Sequence, residues 1–206
     1  MEIALRGLFA TPVAAIEVPD TAARNARLEQ AILARRRQFP SIQSSNAGGW
    51  HSERDLLQWG GEDAGSILAL AQSAATRLTA DRAGQPVRPR WVVQAWANVN
   101  GPGDGNICHY HPGSFWSGTY YVADGGCAAD PSLGGEFEML DPRGPGPSMY
   151  APTLKFAGEG GQSAGSAELI PPRAGLLVLF PSWLFHQVRS YRGSALRISI
   201  AFNLGV

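Results

Sequence analysis

Three of the chain's four histidines are placed to do chemistry together. His109 and His111 stand two residues apart in the run HYHPGSFWSGTYYV, and His186 ends the apolar run GLLVLFPSWLFH. On an extended strand, residues two apart point to the same face, so the first pair can turn toward one ion, and His186 is the natural third ligand. Eleven residues past His186 comes Arg197, in LRISIAFN. Alternation there sets Arg197, Ser199 and Ala201 on one face and Ile198, Ile200 and Phe202 on the other. An inward guanidinium left unpaired inside an apolar barrel costs on the order of several kcal/mol, so it is expected to meet an anion. The residues therefore describe a metal site with a carboxylate-binding neighbour.

Such a site needs a rigid frame, and the second half of the chain reads as one. From Val87 onward, WVVQAWANVN, SGTYYV, GGEFEML, GLLVLF and LRISIAFN are short β-branched or aromatic runs divided by Gly, Pro, Asn and Asp. That pattern argues for a barrel or sandwich. Ahead of it, residues 3–18 read as an edge strand with Pro12 and Pro19 as punctuation. Asp20 is the expected cap of a helix over about residues 21–38, which ends in Arg35, Arg36 and Arg37. Those arginines suit a solvated helix C-terminus. A second helix, about 64–82, carries Ile67, Leu70, Ala71, Ala74 and Leu78 on one stripe and is expected to cover a sheet. Between the helices His51 sits in a polar loop with two tryptophans; it reads as a polar loop residue, with a substrate-facing lid as the alternative. The Gly- and Pro-rich stretch from Asp141 to Pro172 reads as a long connection of the kind usually tied to function.

Composition narrows the function. At 206 residues the chain suits one domain, with 1–86 packing on a core of 87–206. Seventeen basic and seventeen acidic residues cancel, so no electrostatic hold on nucleic acid or on an anionic membrane is expected. The partner is expected to be a small molecule or a protein side chain; a homodimer is compatible with the sequence and not required by it. Two cysteines, Cys108 and Cys127, are too few for a disulfide framework. Cys108 alternates with the proposed ligands and reads as a packing residue rather than a thiolate ligand. The first twenty residues lack a basic region followed by an unbroken apolar core, so a cytoplasmic location is the expectation. Trp91, Trp96, Trp116 and Trp183 read as core.

Taken in order, H-x-H-P-G-S…S-G-x-Y-Y-V, D-P-R, F-P-S-x-L-x-H and R-I-S-I-x-F-N resemble a group of small bacterial proteins within the 2-oxoglutarate and Fe(II)-dependent oxygenases. The resemblance runs through about residues 91–204, with a weaker echo in LFATPV. It implies a mainly β, α+β architecture: a double-stranded β-helix, the jelly-roll or cupin-like barrel, with helices packed outside. It also implies Fe(II) as cofactor, 2-oxoglutarate as cosubstrate, and a hydroxylase activity that couples decarboxylation to substrate oxidation. His109 falls on the first metal ligand and His186 on the distal one. Arg197 falls on the 2-oxoglutarate-binding arginine with Ser199 as a second contact, and Tyr121 or Tyr120 is a further hydroxyl donor. The departure is His111, where most members carry Asp or Glu; Asp104, Asp141 and Glu136 are the carboxylates that would replace it. Two other readings stand beside this one, a cupin-like three-His dioxygenase without 2-oxoglutarate and a barrel that binds a ligand without turnover.

Overall fold

The computed structural model describes residues 9–144, 151, 153, 154 and 167–206. Two antiparallel sheets share the strands, and the chain crosses between them repeatedly. The larger sheet holds β1 (Ala14–Glu17), β9 (Leu176–Pro181), β6 (Trp116–Asp124), β11 (Arg197–Gly205), β4 (Val92–Asn100) and β3 (Trp50–His51), in that order. The smaller holds β2 (Asn46–Ala47), β5 (Gly105–His109), β10 (His186–Val188), β7 (Phe137–Leu140) and β8 (Ala167–Ile170). β11 lies between β4 and β6 over nearly its whole length, so every residue from Arg197 to Asn203 is paired on both sides.

The two faces of the larger sheet differ because its strands alternate. Ile198, Ile200, Phe202 and Leu204 of β11 join Ala95, Ala97 and Val99 of β4 under the helices α1 (Ala22–Gln38) and α3 (Gly61–Arg77), which add Leu28, Ile32, Ile67, Leu68, Ala71 and Ala75. The opposite face looks toward the smaller sheet across Tyr121, Val178, Phe180, Phe137 and Met139, with the Phe137 and Phe180 rings 5.0 Å apart. The two helices and the barrel strands thus match the expected arrangement.

Several boundaries differ for local reasons. Asp20 takes a left-handed backbone (φ 52°) and Thr21 stands at the cap position, without a side-chain capping bond. The second helix runs earlier than its stripe implied and stops at Arg77, while the short α2 (Leu56–Trp59) precedes it. β2, β3, β5, β8 and β10 are two to five residues long, too short for periodicity to reveal. Of the connection expected from Asp141 to Pro172, residues 145–150, 152 and 155–166 lie outside the described residues, and 167–170 form β8 rather than loop.

Candidate metal centre

His109 ends β5 and His186 begins β10, and the two strands pair so that these residues face each other in register. His111 follows two residues on, where its backbone N–H donates to Ser182 O (2.8 Å). The result is one cluster: a ligand atom from each of the three imidazoles lies within 4.8 Å of the others, and among the described residues no other His, Cys, Asp or Glu joins them.

Hydrogen bonds fix which nitrogen of each ring is free. His109 Nδ1 lies 2.7 Å from Ile107 O and His186 Nδ1 lies 2.7 Å from Leu184 O; a carbonyl only accepts, so both Nδ1 atoms carry the proton and both Nε2 lone pairs are open. His111 is held differently. Its Nδ1 faces Asn203 Nδ2 at 3.5 Å, and Asn203 Oδ1 accepts from Ser117 Oγ (2.8 Å). Its Nε2 lies 3.2 Å from His186 Nε2, so the two rings turn these nitrogens toward one point. Burial first, then the charge of the neighbouring imidazoles, pushes the pKa of His111 down to about 3 and that of His186 down to about 4. Burial lowers His109 as well. All three are neutral at physiological pH, the state a metal requires.

The carboxylates weighed as substitutes for His111 are engaged elsewhere. Asp104 accepts from Gly101 N in the β4–β5 turn (2.8 Å), Asp141 pairs with Arg143 (2.7 Å), and Glu136, whose backbone carbonyl accepts from Arg189 N (3.0 Å), does not join the histidine cluster. Cys108 is exposed rather than packed, and Cys127 is buried with its thiol on Gly134 O; both are free.

Along the inner face of β11 the side chains form rows. Asn203 sits level with Gln94 and Ser117, Ala201 with Trp96 and Thr119, Ser199 with Asn98 and Tyr121, and Arg197 with Asn100. Ala201 alone among residues 197–204 is not buried, although its strand is central, so the interior opens above it. Arg197 is 2% exposed and donates through Nη1 to Asn100 Oδ1 (3.3 Å). Its guanidinium stands 5.2 Å from the Tyr121 ring, and among the described residues it has no ion pair. Arg197 Nε, the Tyr121 hydroxyl and Asn98 Oδ1 are buried with no hydrogen-bond partner among the described residues. Interiors rarely leave such groups unmet, and an unsatisfied N–H on a buried guanidinium with an unsatisfied hydroxyl beside it fits the far carboxylate of a diacid. Gly135 makes room for Arg197, since a Cβ there would lie 3.2 Å from its Cδ.

Tyr120 is a correction. It points to the helix side, where its hydroxyl donates to Asn25 Oδ1 on α1 (2.6 Å), because adjacent strand residues face opposite ways. It is no contact for a cosubstrate in the barrel. His51 is buried rather than a surface loop group: its ring stacks on Trp96 (5.6 Å, 13°), and Trp96 stands 5.9 Å from the His111 ring. Trp116 is core as expected, whereas Trp183 is half exposed. His51, Trp96 and Asn98 are parts of the site outside the motifs, and Asn203 lies within one of them without a role assigned from sequence. The alternation of Trp96, Asn98 and Asn100 with Ala95, Ala97 and Val99 was the available signal.

Among solved structures, the chain is similar to a prolyl hydroxylase from Trichoplax adhaerens in complex with a hypoxia inducible factor oxygen degradation domain peptide fragment (16% identity, TM-score 0.62, 94% of this chain and 83% of that one). It is also similar to a Pseudomonas putida prolyl-4-hydroxylase (17%, 0.60, 96% and 94%) and to the non-heme alpha ketoglutarate dependent carbocyclase SnoK from nogalamycin biosynthesis (13%, 0.63, 94% and 79%). At these identities the likeness carries the fold, a double-stranded β-helix. No curated protein matches the chain. The family model described as "Putative 2OG-Fe(II) oxygenase" matches residues 94–203, more than half of the sequence and the whole of the histidine and arginine constellation; the chain belongs to that family of Fe(II) and 2-oxoglutarate-dependent oxygenases.

Proposed function

We propose that His109, His111 and His186 together hold the Fe(II) of this oxygenase, that Arg197 grips the far carboxylate of 2-oxoglutarate, and that the reaction is a hydroxylation. The observation that carries the assignment is the pairing of three neutral, mutually close imidazoles with a buried arginine that has no anion of its own among the described residues. When bound, Fe(II) with 2-oxoglutarate supplies oxidative decarboxylation coupled to oxidation of a substrate by dioxygen.

The chain's own contribution is orientation and dryness. Ile107 O and Leu184 O keep His109 and His186 in the tautomer that offers Nε2. The Arg197 fork, with the Tyr121 hydroxyl and Ser199 beside it, aligns a carboxylate through charge-assisted bonds. Phe137 and Phe180, with rings 5.1 and 4.7 Å from His186, keep water from that side of the cluster. Three imidazoles in place of two and a carboxylate leave the cation with one more positive charge, which shifts its potential and its preference among metals.

One domain is proposed, with residues 1–86 as an N-terminal strand and helices that pack on the barrel core of 87–206; the packing of α1 and α3 on β6 and β9 supports it, and β1, β2 and β3 extend the two sheets. The substrate is proposed to be a small molecule or a protein side chain rather than nucleic acid. No helix among the described residues is long and apolar enough to cross a membrane. Two unpaired cysteines, one of them exposed, suit a reducing compartment such as the cytoplasm.

Anaerobic titration with Fe(II) and 2-oxoglutarate tests the assignment. A weak visible metal-to-ligand charge-transfer band is expected, and Arg197→Ala should abolish it while sparing most of the iron binding. A band that persists in Arg197→Ala assigns the cosubstrate to other residues. Dioxygen uptake without 2-oxoglutarate points instead to the three-His dioxygenase.

A further inference from the structure

Arg54 is exposed on the Trp96 side of the site and has no described counter-ion. Its guanidinium lies 5.6 Å over the Trp96 ring, the same ring that stands 5.9 Å from His111. Among the described residues its hydrogen bond goes to a neutral oxygen, Gln94 Oε1 (3.3 Å), and no carboxylate lies within ion-pair distance. The contrast is Arg35, which stacks in the same way on Phe39 (3.6 Å) but is paired with Asp55 (2.9 Å).

The backbone under Arg54 is pinned on both sides. Ser52 N donates to Ala97 O and Ala97 N donates to Ser52 Oγ, each at 3.0 Å. Asp55 bridges to Ala95 and accepts from Trp59 Nε1 (2.8 Å). Residue 54 is therefore held over the Gln94–Trp96 edge of β4.

The charge of the loaded site points the same way. A divalent ion on three neutral imidazoles keeps both its charges, Arg197 adds a third, and the dianion 2-oxoglutarate offsets two of them. Arg54 then adds another positive charge to a surplus that no described carboxylate beside the imidazoles reduces. A cationic substrate would be repelled by that field, a neutral one would leave the surplus standing, and an anionic one would relieve it.

We propose that the primary substrate carries a carboxylate, held by Arg54 on its Trp96 platform so that the rest of the molecule reaches over His111 toward the metal. This rests on the Fe(II) and 2-oxoglutarate reading of the site and narrows its substrate to carboxylic acids. The planar guanidinium fork matches a carboxylate in two parallel bonds, and the indole beneath keeps it flat.

The test is a titration of the anaerobic Fe(II)·2-oxoglutarate protein with benzoate and with its neutral counterpart benzamide, read by tryptophan fluorescence and by displacement of the charge-transfer band. Benzoate should bind at least about tenfold more tightly than benzamide. Arg54→Gln should reduce the ratio to within about twofold, Arg54→Lys should keep several-fold of it, and Arg88→Gln, a surface change elsewhere, should keep it all. Equal affinities in the unaltered protein, no saturable benzoate binding, or a preference that survives in Arg54→Gln would overturn the proposal. The same fluorescence ratio measured on the Zn(II)-loaded protein separates the two claims: absence of the charge-transfer band in the unaltered protein counts against the cosubstrate assignment, while the ratio still judges Arg54.

Discussion

The two faces of the larger sheet come from the same strands and have opposite chemistry. On β11, Ile198, Ile200, Phe202 and Leu204 lie at 0% exposure against the helices, and Arg197, Ser199 and Asn203 alternate with them toward the barrel. β4 repeats the arrangement, with Ala95, Ala97 and Val99 on one side and Trp96, Asn98 and Asn100 on the other. One face gains stability from burial of apolar area; the other buries polar groups with unmet bonds, which costs stability until a ligand meets them. Sheet and site are thus two readings of one alternation, and the helix face supplies the stability that the interior spends.

Substitutions on opposite faces should therefore behave oppositely. Phe202→Ala, on the helix face, should lose about 3–5 kcal/mol in chemical denaturation, and if the remainder folds it should retain 2-oxoglutarate binding. Arg197→Met removes a buried charge without a described counter-ion, so the metal-free protein should gain on the order of 1 kcal/mol as cosubstrate binding disappears. A loss of stability in Arg197→Met would mean that the arginine holds the barrel together rather than waiting for a ligand. Neighbouring tyrosines give a finer version. Tyr120→Phe deletes the bond to Asn25 and should cost about 1 kcal/mol with little effect on the site, whereas Tyr121→Phe removes a hydroxyl with no described partner and should leave stability nearly unchanged while weakening 2-oxoglutarate.

The smallest effect is on the outer face of the smaller sheet. Arg189 (2.9 Å) and then Gln187 hold the Glu138 carboxyl below the usual carboxylate range. A depressed folded pKa means the contribution is present above the unfolded value, about 4.3, and fades as pH falls through the folded one. Glu138→Gln should thus cost at most about 1 kcal/mol near neutrality and flatten the acid limb of a stability–pH curve below about pH 5. An unchanged acid limb would show that the pair contributes nothing.

How much of this was legible follows from range. The clustering of the three histidines was readable from their order and from the H-x-H pair, although His111 lies just past the end of β5, and the inward side of Arg197 was readable because alternation along the nine-residue β11 is local. Tyr120 against Tyr121 was not: alternation says that only one of two adjacent residues faces inward, and the choice depends on the register of β6 against β11, which shifts between Ile198 and Ser199. His51 and Trp96 became site neighbours only through pairing of a two-residue strand with β4, a contact across more than forty residues that leaves no periodic trace. Likewise the role of Asn203 depends on where His111 lands, after β5 has ended. The short strands of the smaller sheet escaped for lack of length, although they carry His109 and His186.

The central claim is that three imidazoles share one iron, and X-ray absorption at the iron edge of the anaerobic Fe(II)·2-oxoglutarate protein counts them directly. Three imidazole nitrogens with oxygen donors from the cosubstrate are expected, falling to two in His111→Ala. Two imidazoles and a protein carboxylate in the unaltered protein, or an unchanged count in His111→Ala, would contradict the account.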